Sequence, residues 1–243
     1  MGITTGNQAQ VLLDEFNLHQ FAQSFSCEPM IDLHDASVLG TTSRIKHPGL
    51  KHATASSALF LDDAATTGSY DVLKSKYGAA TPGILSYAQL GFAIGNPAIL
   101  LYLNSIRFGV ESIVEDLNKL SFNAEAAEDA ADFGVSLHAY AAETSSTNSA
   151  SVDNAAATTN GGVGVIHVAA ISGTSTPTLT AKIQHSVDNS VWVDLITFTA
   201  LTAVGKQRVE VAAGTTINRY LRTISTITGS SPSFTYATGF ARR

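Results

Sequence analysis

Leu120-Ser121-Phe122-Asn123-Ala124-Glu125-Ala126 alternates apolar and polar side chains one for one, and Asp132 to Ala139 repeats the pattern. Successive side chains of an extended strand point to opposite faces. A period of two over seven or eight residues therefore describes a strand with one face in a core and the other against water or another chain. The same period returns late in the chain, where Leu179, Ala181 and Ile183 alternate with Thr180, Lys182 and Gln184. An Asp188-Asn189-Ser190 turn follows, and Val191 to Phe198 begins the next strand. Segments 207–212, 219–227 and 234–240 supply further strands between turns of Gly, Pro, Ser and Thr. Such a chain is mainly β, and residues 163–243 read as a small all-β sandwich, Ig-like or jelly-roll.

Residues 1–141 read as a β-barrel or sandwich carrying one packed helix. Strands are expected at Leu18–Ser26, Met30–His34, Thr54–Leu61 and Ala98–Val110, with a turn-rich loop over 38–52. The helix falls between Gly68 and Gly78. Ser69 is placed to cap its start, Asp71 lies in the first turn, Lys74 and Lys76 lie toward the far end, and Gly78 stops it. Tyr70, Leu73 and Tyr77 make a narrow apolar stripe suited to lying on a sheet. Ile84 to Leu103 is the longest apolar stretch, but Gln89, Gly91, Gly95, Asn96 and Pro97 interrupt it. A membrane helix needs about 20 mostly apolar residues, so a Gly-Asn-Pro turn between two short buried strands is expected here, and no membrane partner. Residues 142–162 hold little beyond Ala, Ser, Thr, Asn and Gly and read as a linker or exposed loop, with Val152 and Asp153 able to start an edge strand.

Charged residues make up 14% of the chain and apolar ones 44%, against roughly 25% charged in an ordinary soluble domain. A surface so poor in charge suits burial against other subunits, although a neutral Ser/Thr surface on a β-rich monomer would have the same composition. Residues 1–141 carry 15 acidic and 7 basic residues, a net of −8, while residues 142–243 carry 5 and 7, a net of +2. Cys27 is the single cysteine, which excludes an intramolecular disulfide. Met1 to Gln8 lacks the basic start and apolar run of a secretory leader, so none is expected.

Signatures of chemistry are missing. There is no Gly-x-Ser-x-Gly elbow, no phosphate loop, no Gly-x-Gly-x-x-Gly after a strand and no Cys-x-x-Cys pair, so no enzyme and no cofactor is expected. Asp32 and His34 would share a strand face, and His47 and His52 could join them as nitrogen and oxygen ligands of a metal; loop or interface hydrogen bonding is the alternative, and no metal is expected. Asp188, Asn189 and Asp194 could bind calcium but lack the dense ligand spacing of a dedicated loop, and turn formation accounts for them. Glu111, Glu115, Asp116, Glu125, Glu128, Asp129 and Asp132 make 111–132 acidic. Acid–base catalysis would need two of them in a concave site with separated pKa values; a solvated face is the default.

Asp35, Gly40, Thr42-Ser43-Arg44, Pro48-Gly49-Leu50-Lys51 and Ser57-Ala58-Leu59-Phe60-Leu61-Asp62-Asp63 follow in that order between strand-like stretches. This run resembles the segment joining two early strands in the major tail tube proteins of long-tailed, siphovirus-type bacteriophages. Gln184-His185-Ser186-x-Asp188-Asn189-x-x-Trp192, Asn218-Arg219-Tyr220-Leu221-Arg222 and Gly239-Phe240-Ala241-Arg242-Arg243 resemble an accessory domain at the C-terminus of many phage tail proteins. The resemblance implies a structural virion protein: a rolled β-sandwich with a packed helix, assembled as hexameric rings that stack into a tube. It implies DNA passing through without specific binding, other tail proteins such as tape measure and terminator as partners, and a place in the virion tail after synthesis in the host cytoplasm. The 38–52 loop, with Gly40, Arg44, Lys46, Pro48 and Lys51, would reach a neighbouring subunit or ring, and the C-terminal sandwich would decorate the outside. Acids drawn from Asp62, Asp63, Glu111, Glu115 and Asp116 would line the bore, where a negative wall repels the duplex. Ile84 to Leu103 departs from the resemblance, being more apolar than the family leads one to expect.

Two other classes stay open. Trp192, Tyr220 and Tyr236 could form a stacking platform in a carbohydrate- or receptor-binding tail component, unless Trp192 and Tyr236 belong to the core. A capsid decoration protein would instead bind preformed heads.

Overall fold

Alternating apolar residues produce antiparallel strands throughout, several of them much longer than the pattern predicts. The computed structural model describes residues 6–40, 42–112, 114–127 and 131–243. In chain order the elements are β1 (Gln10–Leu13), β2 (Phe16–Asn17), β3 (Ala22–Asp35), β4 (Lys46–Phe60), α1 (Ser69–Lys76), β5 (Gly83–Ala88), β6 (Pro97–Glu111) and β7 (Lys119–Ala126). They continue as β8 (Asp132–Glu143), β9 (Thr147–Asn148), β10 (Val152–Asp153), β11 (Gly162–Ser186), β12 (Val193–Thr197), β13 (Gly205–Val211) and β14 (Tyr220–Arg242). The chain is mainly β, and among the described residues no helix is long and apolar enough to cross a membrane.

Two compact units result, one from residues 1–20, 84–100 and 132–243 and one from 21–83 and 101–131. The first is built on β11 and β14, paired antiparallel from Gly162↔Arg242 to Ser186↔Tyr220. β13 and β8 flank the early half of β11 and the late half of β14, while β12, β9 and β10 flank the other halves. Ile166 and Val168 from the early half of β11 share a core with Leu179, Ala181 and Ile183 from its late half, and Ile196, Phe198, Leu221, Phe234 and Phe240 complete it. The two halves of one long hairpin thus stack as the layers of a sandwich. A Cβ on Gly164 would lie 2.7 Å from Ile196 Cδ1 and 2.8 Å from Ile183 Cδ1, so the missing side chain sets how closely the layers approach.

Where the hairpin folds over, the two strands mirror each other. Gly173 (φ +125°) packs a Cβ-sized gap against Pro232, and Gly229 (φ +121°) packs one against Pro177. This bend, at Gly229-Ser230-Ser231-Pro232, lies inside one continuous strand where the sequence predicts a turn between two. β1 pairs with β5 from Gln10↔Ala88 to Leu13↔Leu85, and Pro97–Leu100 pair with the start of β8. The turn expected at Gly95-Asn96-Pro97 is present, held by the Asn96 side-chain amide donating to the carbonyls of Leu90 and Gly91.

The second unit has the strand order β3-β4-β7-β6, all antiparallel. One face buries Ala53, Ala55, Leu59, Leu103, Ile106, Leu120, Phe122 and Ala124. α1 covers this face, with Val72 and Leu73 buried and Tyr70 and Tyr77 edge-on to Phe108 at 5.9 and 6.1 Å. Gly68, not Ser69, is the N-cap. Ser69 is the buried first helical residue, and its hydroxyl donates to the Phe60 carbonyl (2.7 Å) and accepts from the Asp62 amide (2.9 Å), tying the helix to the end of β4. Gly78 follows the helix at φ +70° as expected.

The units do not follow the expected boundaries at 141, 142–162 and 163–243. β8, from the early side, pairs with β14 from Phe234↔Glu143 to Ala241↔Gly134. Within residues 142–162, Val152 and Asp153 form the expected edge strand as β10 on β14, and β9 adds a second short strand there. Small polar residues suffice there because an edge strand needs backbone pairing more than core side chains.

Candidate assembly surface

β3 and β4 pair as far as Asp35↔Lys46, yet β7 accompanies β4 only over Thr54–Phe60. From Met30↔His52 outward the chain is a two-stranded ribbon. Its side chains are exposed on both faces: seven of the 17 large exposed hydrophobics among the described residues fall between Met30 and Leu50, including Leu33 (60%), Leu39 (106%) and Leu50 (78%). At the far end of the ribbon Asp35 accepts from the Ser37 amide and the Ser37 hydroxyl accepts from the Ile45 amide, both at 2.9 Å. Hydrogen bonding from the Ser37 side chain and amide holds the Asp35 carboxyl below its ordinary range.

The sequence-predicted contact residues gather on this arm. Gly40 takes φ +101°, and Arg44 is exposed. Lys46, Pro48 and Lys51 lie on β4, so Pro48-Gly49-Leu50-Lys51 is strand and not loop. Neither face of the ribbon meets a core, so no alternation in the sequence marks it. His34 stands directly opposite His47, and His52 Nδ1 lies 3.8 Å from Asp32 Oδ1. Among the described residues, however, no three or more His, Cys, Asp or Glu side chains are arranged to hold a metal.

The face of this sheet opposite α1 is small and polar. Ser26, Ser56, Asn123 and Arg107 stand in register across its four strands, with Glu28, Thr54 and Glu125 in the next row. A shallow groove of about 350 Å³ runs between these rows. Arg107 is bonded to Glu125 at 2.5 Å, and Lys119 to Asp116 at 3.0 Å. Glu111 is paired in register with Lys119, and Glu115 and Asp116 occupy the β6–β7 connection. The Asp116 carboxyl is held low by bonds from Lys119 and the Leu117 amide. Asp62 and Asp63 follow the end of β4, next to Leu61, whose amide reaches the Asn118 carbonyl of that connection. Asp62 also accepts from the Ala64 amide, which makes it a turn former. All five acids predicted for the bore therefore collect at one end of one sheet; Glu128 and Asp129 lie outside the described residues.

Trp192, Tyr220 and Tyr236 do not share one exposed platform. Tyr236 is fully buried and stacked on His138, with centroids 4.0 Å apart. The Arg222 guanidinium covers a face of Trp192 at 4.2 Å, and Arg219 lies over Tyr220 at 5.0 Å. Asp188 is consumed by its turn, accepting from the Ser190 and Val191 amides, and Asp194 accepts from Lys182 and Gln184.

One constellation escaped sequence reasoning. Ser86 Oγ lies 2.7 Å from His167 Nε2, and His167 Nδ1 lies 2.6 Å from the Asp14 carbonyl. A carbonyl only accepts, so Nδ1 carries the proton and Nε2 accepts from the Ser86 hydroxyl. That is the hydrogen bond of a nucleophile and its base, yet Ser86 and His167 are 0% and 1% exposed. The pair is closed to any substrate. Separations of 72 and 81 residues left no signal in the sequence.

No family model and no curated protein matches the sequence. Among solved structures, the chain is similar to a protein of the native gene transfer agent virion, with TM-score 0.43 and 12% identity over 54% of this chain and 98% of that one. It is similar to the SPP1 tail tube protein at TM-score 0.44 and 10% identity, covering 55% and 81%. The SPP1 Dit protein, a hub of the adsorption apparatus, gives TM-score 0.39 and 11% identity over 96% and 99%. Likenesses of this size carry no argument about the present chain, whose reading rests on its own geometry.

Proposed function

We propose that this chain is a structural, non-enzymatic tail protein of a phage or phage-like particle, a tail-tube-type subunit that assembles with copies of itself into stacked hexameric rings. The observation that carries the reading is the β3–β4 arm. A two-stranded ribbon is marginal alone in water, and this one exposes seven large apolar side chains beside Arg44, Lys46 and Lys51. Both features favour a ribbon covered by another subunit. The resemblance of residues 35–63 to tail tube proteins points the same way.

In this reading the small polar face of β3-β4-β7-β6 is the wall past which DNA slides. Where all four strands run together, both basic side chains on this face, Arg107 and Lys119, are already bonded to acids, and Glu28, Glu111 and the acids at the sheet end leave it negative. Such a wall has no free cation to bind phosphate and stall a duplex. Tape measure and terminator proteins are the proposed partners at the tube's ends, the virion tail is the proposed location, and the C-terminal sandwich is the proposed accessory module.

The test is sedimentation of the full chain against Arg44→Glu/Lys51→Glu at matched concentrations. Large assemblies from the parent and monomers of unchanged circular dichroism from the variant are expected. Equal assembly by both would remove the arm as the contact.

A further inference from the structure

His167 joins all three chain segments of its unit. Asp14 comes from residues 1–20, Ser86 from 84–100, and His167 with Lys206 from 132–243. Both ring nitrogens are bonded, to the Asp14 carbonyl at 2.6 Å and to Ser86 Oγ at 2.7 Å. Asp14 is itself 1% exposed, and its carboxylate takes the Ile84 amide at 2.7 Å and the Lys206 ammonium at 2.5 Å. The Asp14 amide returns to the Ile84 carbonyl at 2.8 Å. Asp14 also has φ +54°, a left-handed conformation that a non-glycine residue keeps only where its surroundings hold it.

We propose that this network is a proton-operated latch: protonation of His167 releases the strained Asp14 turn, and with it β1 and β2, from the sandwich. The inference does not depend on the assembly reading. A proton on Nε2 ends its role as acceptor for the Ser86 hydroxyl, which must give up that bond and rotate to present its lone pairs instead. It also places a cation in a sealed site, where burial opposes it more strongly than the Asp14 and Glu15 carboxylates attract it, and where Lys206 of β13 adds repulsion. The groups facing His167 are Asp14 and Glu15 from the β1–β2 turn, Ser86 from β5 and Lys206 from β13. Burial, the largest influence on the imidazole, keeps it neutral, so the latch is closed at neutral pH and opens on acidification. Releasing the turn relieves the backbone strain at Asp14.

The Asp14 and Ile84 amides report the latch directly. Hydrogen exchange in the full chain, corrected for the intrinsic pH dependence of exchange, should show their protection falling by at least about tenfold as pH drops through the acid range. Amides on the paired β11 and β14 strands, such as Val165 and Ile224, should hold. In His167→Gln, which keeps an acceptor for Ser86 but cannot titrate, this selective loss should vanish. Ser86→Ala removes the hydrogen bond that stabilises neutral His167, so the opening midpoint should move to higher pH. Loss of protection at Asp14 and Ile84 in step with the whole molecule, persistence of the selective loss in His167→Gln, or an unmoved midpoint in Ser86→Ala would each overturn the latch.

Discussion

Thr223 and Thr238, fifteen residues apart on the single strand β14, share a hydroxyl–hydroxyl hydrogen bond of 2.6 Å inside the sandwich. Each is 1% exposed. The bond spans the two layers that the folded hairpin creates, so it reports their apposition.

Removing one hydroxyl strands the other in an apolar interior. Thr223→Val and Thr238→Val are each expected to cost about 1–3 kcal/mol, whereas the double variant should lie closer to the parent because neither hydroxyl is left unpaired. Urea midpoints of the four proteins check this, and additive losses would contradict it.

Acid should weaken the fold through its buried imidazoles. Burial, outweighing the pull of the Ala139 carbonyl and of Glu143, pushes the His138 pKa below its ordinary value. Burial lowers His19, His167 and His185 in the same direction. Below about pH 6.5 the unfolded chain takes up protons that these folded sites refuse, so stability is full above that point and falls as pH drops. His138→Phe keeps a flat ring against Tyr236 but cannot titrate. It should flatten the fall between about pH 6.5 and 5 by up to about 1.4 kcal/mol per pH unit; an unchanged slope would count against the assignment.

Arg242 clamps two loops near the C-terminus. Its guanidinium donates to the carbonyls of Ala156, Ile217 and Asn218 and to Thr158 Oγ1. A lysine keeps the charge but not the planar fork. Arg242→Lys should cost about 1.5–3 kcal/mol and raise hydrogen exchange at Thr158 and Ile217, whose backbones bridge to each other.

The arm's apolar tip should matter to association and not to folding. Leu39→Ser/Leu50→Ser removes two of the most exposed hydrophobics and should change stability by less than about 0.5 kcal/mol. In the same protein, light scattering at high concentration should show assembly lost. Assembly that persists would place the contact elsewhere.

The helix at 69–76 and the Gly95-Asn96-Pro97 turn were legible because each is written locally, in caps, charge placement and breakers. The alternating strand β7 was legible because it buries one face, whereas β8 forms as a strand but buries Ser136, Leu137 and His138 on both faces and exposes Phe133. The arm was not legible, since a ribbon exposed on both sides imposes no period on its residues, and Pro48-Gly49 imitates a loop. The fold-over within β14 imitates a turn for the same reason. Strand partners far apart in sequence, such as Leu13 and Leu85 or Val165 and Gly239, leave no local trace. That is why both the division into units and the Ser86–His167–Asp14 network lay beyond sequence reading. The five candidate acids were found as residues, but their collection at one sheet end is a product of the β4, β6 and β7 pairings.

Negative-stain electron microscopy of the concentrated full chain tests the central proposal most directly. Stacked rings or hollow tubes are predicted, and they should disappear in Arg44→Glu/Lys51→Glu. Uniform monomers at every concentration, with or without fragments of preformed tail to seed growth, would contradict the account.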